Sequence, residues 1–500
     1  MKNLVSIVIS FLLITSCSLI TEEKEIRQCL YFFPKGLDPA KNTDFYEYQI
    51  YSQIYEPLLT LDHDYRTLLP CLAETWSMSE NKQIYTFHLR QDVRFHDGSL
   101  LTAEAVQHSF IRQLQLRSEY PLFNVIETIR SIGPMTVEIE LKYPYLPFLY
   151  SLASPSGLLV ISQKALERYG NNIDRNPVGT GPFYLDQWQE NKYITLKAFS
   201  GYREKSTIEK VSFLLPDSTP QAEILFRDGE LDILFMVAGH WLNRLKWLGI
   251  AKYFVQKPLN TFYLGFNLKN KPVNNIKVRK AILKAIDIKK SIYISNRGNA
   301  LPAYGPIPPI FNGFEDIKQE NYNPEISKKL LKEAEFENGL LLNLYVFSPI
   351  YSRQIRVELL KSQLEKIGIT LNTTFFDDWE LFTTSLKTND CHLFLDGYGS
   401  ELIGDPGNYL HALFHSTSVY NQTNYSDKKV DTLLEQAFQE ADPEERHEMY
   451  RSVVKLVVKD IPAVYDSHVK SIFAYNPKKI KSLVVNPYEF IYYHRLETYE

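Results

Sequence analysis

Two early stretches of the chain alternate strictly between apolar and polar residues. Tyr85, Phe87 and Leu89 alternate with Thr86 and His88; Val137, Ile139 and Leu141 alternate with Glu138 and Glu140. A period of two predicts half-buried strands, since successive strand side chains point to opposite faces. Between them, Thr102 precedes an apolar stripe of Val106, Phe110 and Leu114, which predicts a threonine-capped helix. Two more helices follow from the i, i+3, i+4, i+7, i+8 spacing of Val278, Ala281, Ile282, Ala285 and Ile286, and of Val430, Leu433, Leu434, Ala437 and Phe438. Asp442-Pro443-Glu444-Glu445 reads as a helix start, with Asp as cap and Pro in the first turn, ahead of Tyr450, Val453, Val454, Val457 and Val458. Proline and glycine punctuate the chain at 176–182 and 304–309, where turns or domain crossings are expected. Helices and strands interleave from end to end without an internal repeat. The pattern predicts an α/β or α+β chain with more than one lobe.

Length and composition narrow the class. Five hundred residues suggest about three domains' worth of chain. Hydrophobic residues at 44% and charged residues at 23% are ordinary globular values, which argues against a disordered chain and against a multi-span membrane protein. A net charge of −4 gives no reason to expect a nucleic-acid partner. Aromatic content is high at 13%, with 33 Tyr and 29 Phe. So much amphipathic ring surface suits a large, adaptable binding cleft.

The first residues look like an export signal. Lys2 is followed by an apolar run from Leu4 to Ile14, too short to cross a bilayer of about 30 Å. A short apolar run with a basic start is a secretory segment. Ile14-Thr15-Ser16-Cys17 resembles a bacterial lipoprotein processing site, so residues 1–16 are expected to be removed and Cys17 to carry the lipid. That predicts an exported protein, periplasmic or at the cell surface, anchored to a membrane through Cys17. Three cysteines then remain, Cys29, Cys71 and Cys391. An odd number with no C-x-x-C excludes a disulfide framework and disfavours a zinc cluster, leaving room for one bridge of undetermined pairing.

Catalytic motifs are missing. Gly397-Tyr398-Gly399-Ser400-Glu401 has Gly where a nucleophile elbow needs Ser, and His447-Glu448 lacks the second histidine of a zinc protease. No phosphate loop occurs. His411 and His415 stand four apart, but no third ligand has a telling spacing, so no metal is expected. His96-Asp97-Gly98 follows an alternating strand and reads as a hairpin turn. No cofactor is expected, and an exported hydrolase is the less favoured alternative to a binding protein.

A wider set of motifs carries a family resemblance. Trp76-Ser77, Tyr85-Thr86-Phe87-His88-Leu89-Arg90, Val93-Arg94-Phe95-His96-Asp97-Gly98 and Leu101-Thr102-Ala103-Glu104 resemble the signature of the family 5 extracellular solute-binding proteins. Leu37-Asp38-Pro39, Asn176-Pro177-Val178-Gly179-Thr180-Gly181-Pro182-Phe183 and Gly229-Glu230-Leu231-Asp232 extend the likeness. So do Phe266-Asn267, Val278-Arg279-Lys280-Ala281-Ile282, Asp405-Pro406 and Asn424-Tyr425-Ser426-Asp427, in the family's order along nearly the whole mature chain. Ala105 departs from the acidic residue usual there. The resemblance implies an α/β clamshell of the type II, cluster C periplasmic-binding-protein class, with an extra small domain on the N-terminal lobe. Lobe I would comprise 24–60, 175–270 and 480–500, the extra domain 61–174, and lobe II 271–479. It also implies a monomer that captures short peptides between its lobes and delivers them to an ABC permease and ATPase without chemistry. Murein peptides, metal chelates and haem are alternative cargoes for the same fold.

Carried over residue by residue, the resemblance puts a lobe I ligand strand on Thr43, Asp44 and Phe45, and a lobe II ligand strand on Gly397, Tyr398 and Gly399. Peptide main chain adding to such strands gives affinity without a side-chain code. Tyr398 stands for the family's Trp. Glu401 stands for an Asp that pairs with a peptide ammonium, and one residue is inserted before Asp405, the fallback partner. Arg353 lies within a residue of the arginine that dipeptide binders use for the ligand carboxylate. The arginine that oligopeptide binders place before Gly-Trp is absent, and Leu395-Asp396 occupies its place. Tyr120 is expected near the cleft.

Overall fold

The computed structural model describes residues 24–499 except 43, 118–122, 236, 238, 321, 348–350 and 400–403. The early alternating strands form as expected. Ile84–Leu89 and Thr136–Leu141 pair antiparallel within a four-stranded sheet ordered Ala73–Met78, Ile84–Leu89, Thr136–Leu141, Ile126–Gly133. Tyr85, Phe87, Val137 and Ile139 are buried against helix Ala103–Leu116, which starts where Thr102 accepts a bond from Ala105 N at 3.1 Å. His96-Asp97-Gly98 is a turn: Phe95 and Ser99 pair across it, and Gly98 takes φ +81°. The turn has a second job. His96 N and Nε2 contact the carbonyls of Gly179 and Gly181, each at 2.9 Å, locking two distant motifs together.

The first large sheet has seven strands, ordered Phe183–Gln189, Tyr193–Ala198, Lys210–Leu214, Glu25–Cys29, Ile233–Leu234, Ser471–Tyr475, Lys252–Gln256. Glu25–Cys29 runs parallel to both of its neighbours. The second has six, ordered Ala300–Pro302, Ala463–Val469, Asn260–Phe266, Leu393–Gly399, Leu340–Phe347, Ile369–Phe376. Its last three strands are mutually parallel, and helices Ile276–Ala285, Tyr351–Glu365 and Pro324–Glu333 belong with it. The fold is thus two α/β lobes with a small unit inserted into the first.

Two expected boundaries move. Asn260–Phe266, placed in lobe I from sequence, pairs in the second sheet, and Ser471–Tyr475, placed in lobe II, pairs in the first. The chain changes sheet at 257–259 and again at Lys470. Both crossings lie inside near-continuous strands, so no turn cluster marks them. Asn260 ties them side by side: its Nδ2 donates to Val469 O at 3.0 Å and its Oδ1 accepts from Val469 N at 2.9 Å. The end of the inserted segment also belongs with the first lobe, since Ile161, Ala165 and Ile173 are buried in its core.

Charged motif residues act as fasteners. Asp38 is fully buried and grips Arg112 of the inserted unit through bonds of 2.9 and 2.5 Å. Arg279 donates to the carbonyls of Asp460, Val273 and Asn274, closing the end of helix Pro443–Asp460. Among the described residues no helix is long and apolar enough to cross a membrane. Cys29, Cys71 and Cys391 are free and buried.

Candidate ligand cleft

In α/β sheets, ligands collect beyond the carboxyl ends of the parallel strands. In the first lobe, Glu25–Cys29 leads into Tyr31-Phe32-Phe33. Phe32 is about half exposed, with its ring 5.4 Å from that of Tyr46. In the second lobe, the carboxyl ends of Leu340–Phe347, Ile369–Phe376 and Leu393–Gly399 present Phe347, Phe376 and Tyr398. The half-exposed Trp379 lies 5.1 Å from Phe347. Each lobe therefore offers aromatic surface at the carboxyl ends of its parallel strands.

The strand Leu393–Gly399 has an open edge. On one side it pairs with Asn260–Phe266 along its whole length, Gly399 opposite Asn260. On the other, Leu340–Phe347 accompanies it only from Leu393 to Leu395. Gly397, Tyr398 and Gly399 thus have no strand on that edge among the described residues, the geometry in which an extended peptide can add. Tyr398 packs against Tyr409 at 5.1 Å and Tyr420 at 6.3 Å.

Next to this edge lie an arginine and a carboxylate. Arg353, on helix Tyr351–Glu365, donates from Nη1 to Phe347 O at 2.6 Å. Burial lowers its pKa, opposed by the negative charge of Asp396 and by Tyr263. Asp396 is buried, and burial raises its carboxyl to about 6, although Arg353 and the Gly397 N–H pull the other way. Among the described residues no hydrogen bond joins Asp396 to Arg353. Asp396 escaped the carry-over from family motifs, yet it had a signal: a lone carboxylate after the apolar run Leu393-Phe394-Leu395. Phe32 and Trp379 had a weaker one, aromatic residues at the ends of predicted strands.

The other expected site residues divide. Asp44 and Phe45 do not form a strand. Asp44 caps helix Phe45–Tyr51, accepting from Tyr46 N at 3.0 Å while Glu47 Oε2 accepts from Asp44 N at 3.0 Å. The Asp-x-x-Glu spacing is a capping box, and it competes successfully with extension. Phe45 stacks on Phe235 at 5.0 Å. Asp405 is committed elsewhere: Arg446 Nε lies 3.1 Å from one oxygen and Gly407 N 2.8 Å from the other. Thr43, Tyr120, Glu401 and Cys17 fall outside the described residues. His411 and His415 stack at 4.3 Å, and no cluster of three metal-ligating side chains occurs among the described residues.

Comparison with known proteins places this architecture. The Escherichia coli O1:K1 glutathione-binding protein GsiB is 28% identical over 475 residues, covering 92% of each chain. The Helicobacter pylori periplasmic binding protein DppA, solved with the peptide STSA, superposes with a TM-score of 0.82 at 24% identity, over 95% of this chain and 98% of that one. Campylobacter jejuni NikZ, solved with Ni(L-His), gives 0.82 at 23% identity, over 94% and 97%. The description "Bacterial extracellular solute-binding proteins, family 5 Middle" matches residues 67–421. The chain belongs to the family 5 bacterial extracellular solute-binding proteins, which are binding proteins and not enzymes.

Proposed function

We propose that the chain captures short peptides or peptide-like molecules between its lobes and hands them to a membrane permease. The observation that carries this reading is the open edge at Gly397–Gly399 beside Arg353 and Asp396. A bound main chain would extend the sheet there, and Arg353 would take the cargo carboxylate through its remaining N–H groups. Phe32, Tyr46, Tyr398 and Trp379 would supply apolar contact with little demand on side-chain sequence. Glu401 remains the proposed partner of a cargo ammonium. The 28% identity to a glutathione-binding protein supports a small peptide-like cargo, glutathione being itself a tripeptide.

The same proposal takes the lobes as units closing about the paired crossings at 257–259 and 470, and takes Cys17 as the lipid-bearing N-terminus. Native mass spectrometry of the purified protein will identify a co-purified cargo. Calorimetry with glutathione and a panel of di- to tetrapeptides should then give saturable binding, weakened at least tenfold by Arg353→Gln. Binding of every such ligand unaltered by that substitution would remove Arg353 from the site. An absence of heat with any of them would remove the peptide reading.

A further inference from the structure

A separate hollow lies at the seam between the first lobe and the inserted unit. It has a volume of about 120 Å³, and its lining runs from Ser52 to Glu204 and resumes at Phe490, so the second lobe contributes nothing. The volume is room for several waters or one tetrahedral ion. The polar groups around it divide sharply into satisfied and unsatisfied. Glu56 is held by Arg203 at 2.6 and 3.0 Å and accepts from Tyr202 OH at 3.1 Å. Glu204 is held by Arg495 at 2.9 and 2.8 Å. Arg90, the third guanidinium, donates Nε to Cys71 O at 2.6 Å, and its two terminal nitrogens have no partner among the described residues.

His494 is the other exception. Its side chain is 97% buried, and neither ring nitrogen makes a hydrogen bond; Nε2 comes no nearer than 3.5 Å to Glu204. The ring is caged edge-on by Tyr202 at 5.3 Å and Tyr492 at 5.8 Å. Burial and the neighbouring Arg495 push its pKa down to about 4, so a neutral imidazole with one N–H and one lone pair stands unused. An adjoining hollow of about 450 Å³ shares Arg90, Tyr202 and Arg203, and Thr180 Oγ1 on its wall is buried without a partner. Around the first hollow three guanidiniums face two carboxylates, with spare donors on Arg90 and His494, and the adjoining hollow adds Glu74, Asp92 and Arg94. The buried imidazole of His494 is costly to leave unpaired, whereas the half-buried Arg90 offers free N–H groups, and an anion that accepts hydrogen bonds would pair with both.

We propose that this seam is a second ligand site, taking one small oxyanion between Arg90 and His494, independent of the interlobe cleft. Phosphate and a short dicarboxylate share the required chemistry. The test is calorimetry and thermal unfolding of the full chain with inorganic phosphate or malonate, against chloride of equal ionic strength. One of the two should bind saturably and raise Tm by roughly 2 °C at thirty times its Kd. Arg90→Gln and His494→Phe should each weaken that binding at least tenfold, while Arg353→Gln leaves it unchanged. Which anion binds identifies the source. No saturable binding of either overturns the proposal, as does binding lost in Arg353→Gln but kept in Arg90→Gln. Since two seam variants are read against a cleft variant, misfolding of one leaves the other decisive.

Discussion

Two buried encounters between Arg and Asp divide the molecule by purpose. At the seam of the first lobe, Arg112 clasps Asp38 with two bonds, and the backbone N–H of Ala40 adds a third at 3.1 Å. In the second lobe, Arg353 and Asp396 share a charge field, yet each bonds to backbone and not to the other. The closed pair spends its hydrogen-bonding capacity on the fold. The open pair is not closed on itself among the described residues, and in the proposed reading Arg353 is the group that meets a cargo.

Opening the closed pair should have the largest effect on stability. Arg112→Ala leaves a fully buried carboxylate with the Ala40 N–H and, as its remaining cation among the described residues, Lys41, whose Nζ is 3.6 Å away. Removing one partner of a buried pair costs about 3–5 kcal/mol. Urea unfolding should show that loss, while calorimetry at low temperature should find cargo affinity within twofold of the unaltered chain. A loss under 1 kcal/mol would mean that the clasp contributes little.

The open pair should respond in the opposite sense. A carboxyl raised to about 6 in the fold, from an ordinary value of 3.8, binds its proton more tightly when folded. Its contribution to stability is therefore full below pH 4 and is lost as pH rises through 6. Glu489, raised by burial to about 7, slopes the same way, so only the difference between chains isolates Asp396. Asp396→Asn should be more stable than the unaltered chain at pH 7.5, by up to about 3 kcal/mol, with the advantage fading toward pH 4. An advantage independent of pH would detach the effect from ionisation. The same variant frees Arg353 from its internal counter-charge and should tighten binding of carboxylate-bearing peptides severalfold.

This contrast also explains what was legible in the sequence. Strands such as Ile84–Leu89, and helices begun by Thr102 and Asp442, were legible because period and cap are local. Several motif residues prove to be fasteners, a role the sequence did not announce: Asp38, His96 and Arg279 close seams, and so does Asp405, expected instead as a fallback cargo partner. The cleft transferred poorly. Asp44 fell into a capping box that its own Glu47 completes, and Asp396 acquires meaning only when the fold brings Arg353 near it. The crossings at 257–259 and 470 are hard to read because only three residues and one residue separate the strands, with Pro258 the single turn signal.

The open strand edge provides the finest test, through two glycines two residues apart. A Cβ on Gly397 would come within 2.4 Å of the Phe262 ring, on the strand that pairs with it. Gly397→Ala must displace that ring and should cost about 1–3 kcal/mol of stability. At Gly399 none of the described residues lies within 4 Å of the added atom, and its φ is not in the left-handed region, so Gly399→Ala should leave unfolding within about 0.5 kcal/mol. Its methyl would instead project beside the unpaired edge where an incoming main chain would approach. A severalfold drop in peptide affinity with unchanged urea midpoint is the expected outcome for Gly399→Ala. Equal affinity for peptides in both chains would mean that cargo does not lie along this edge.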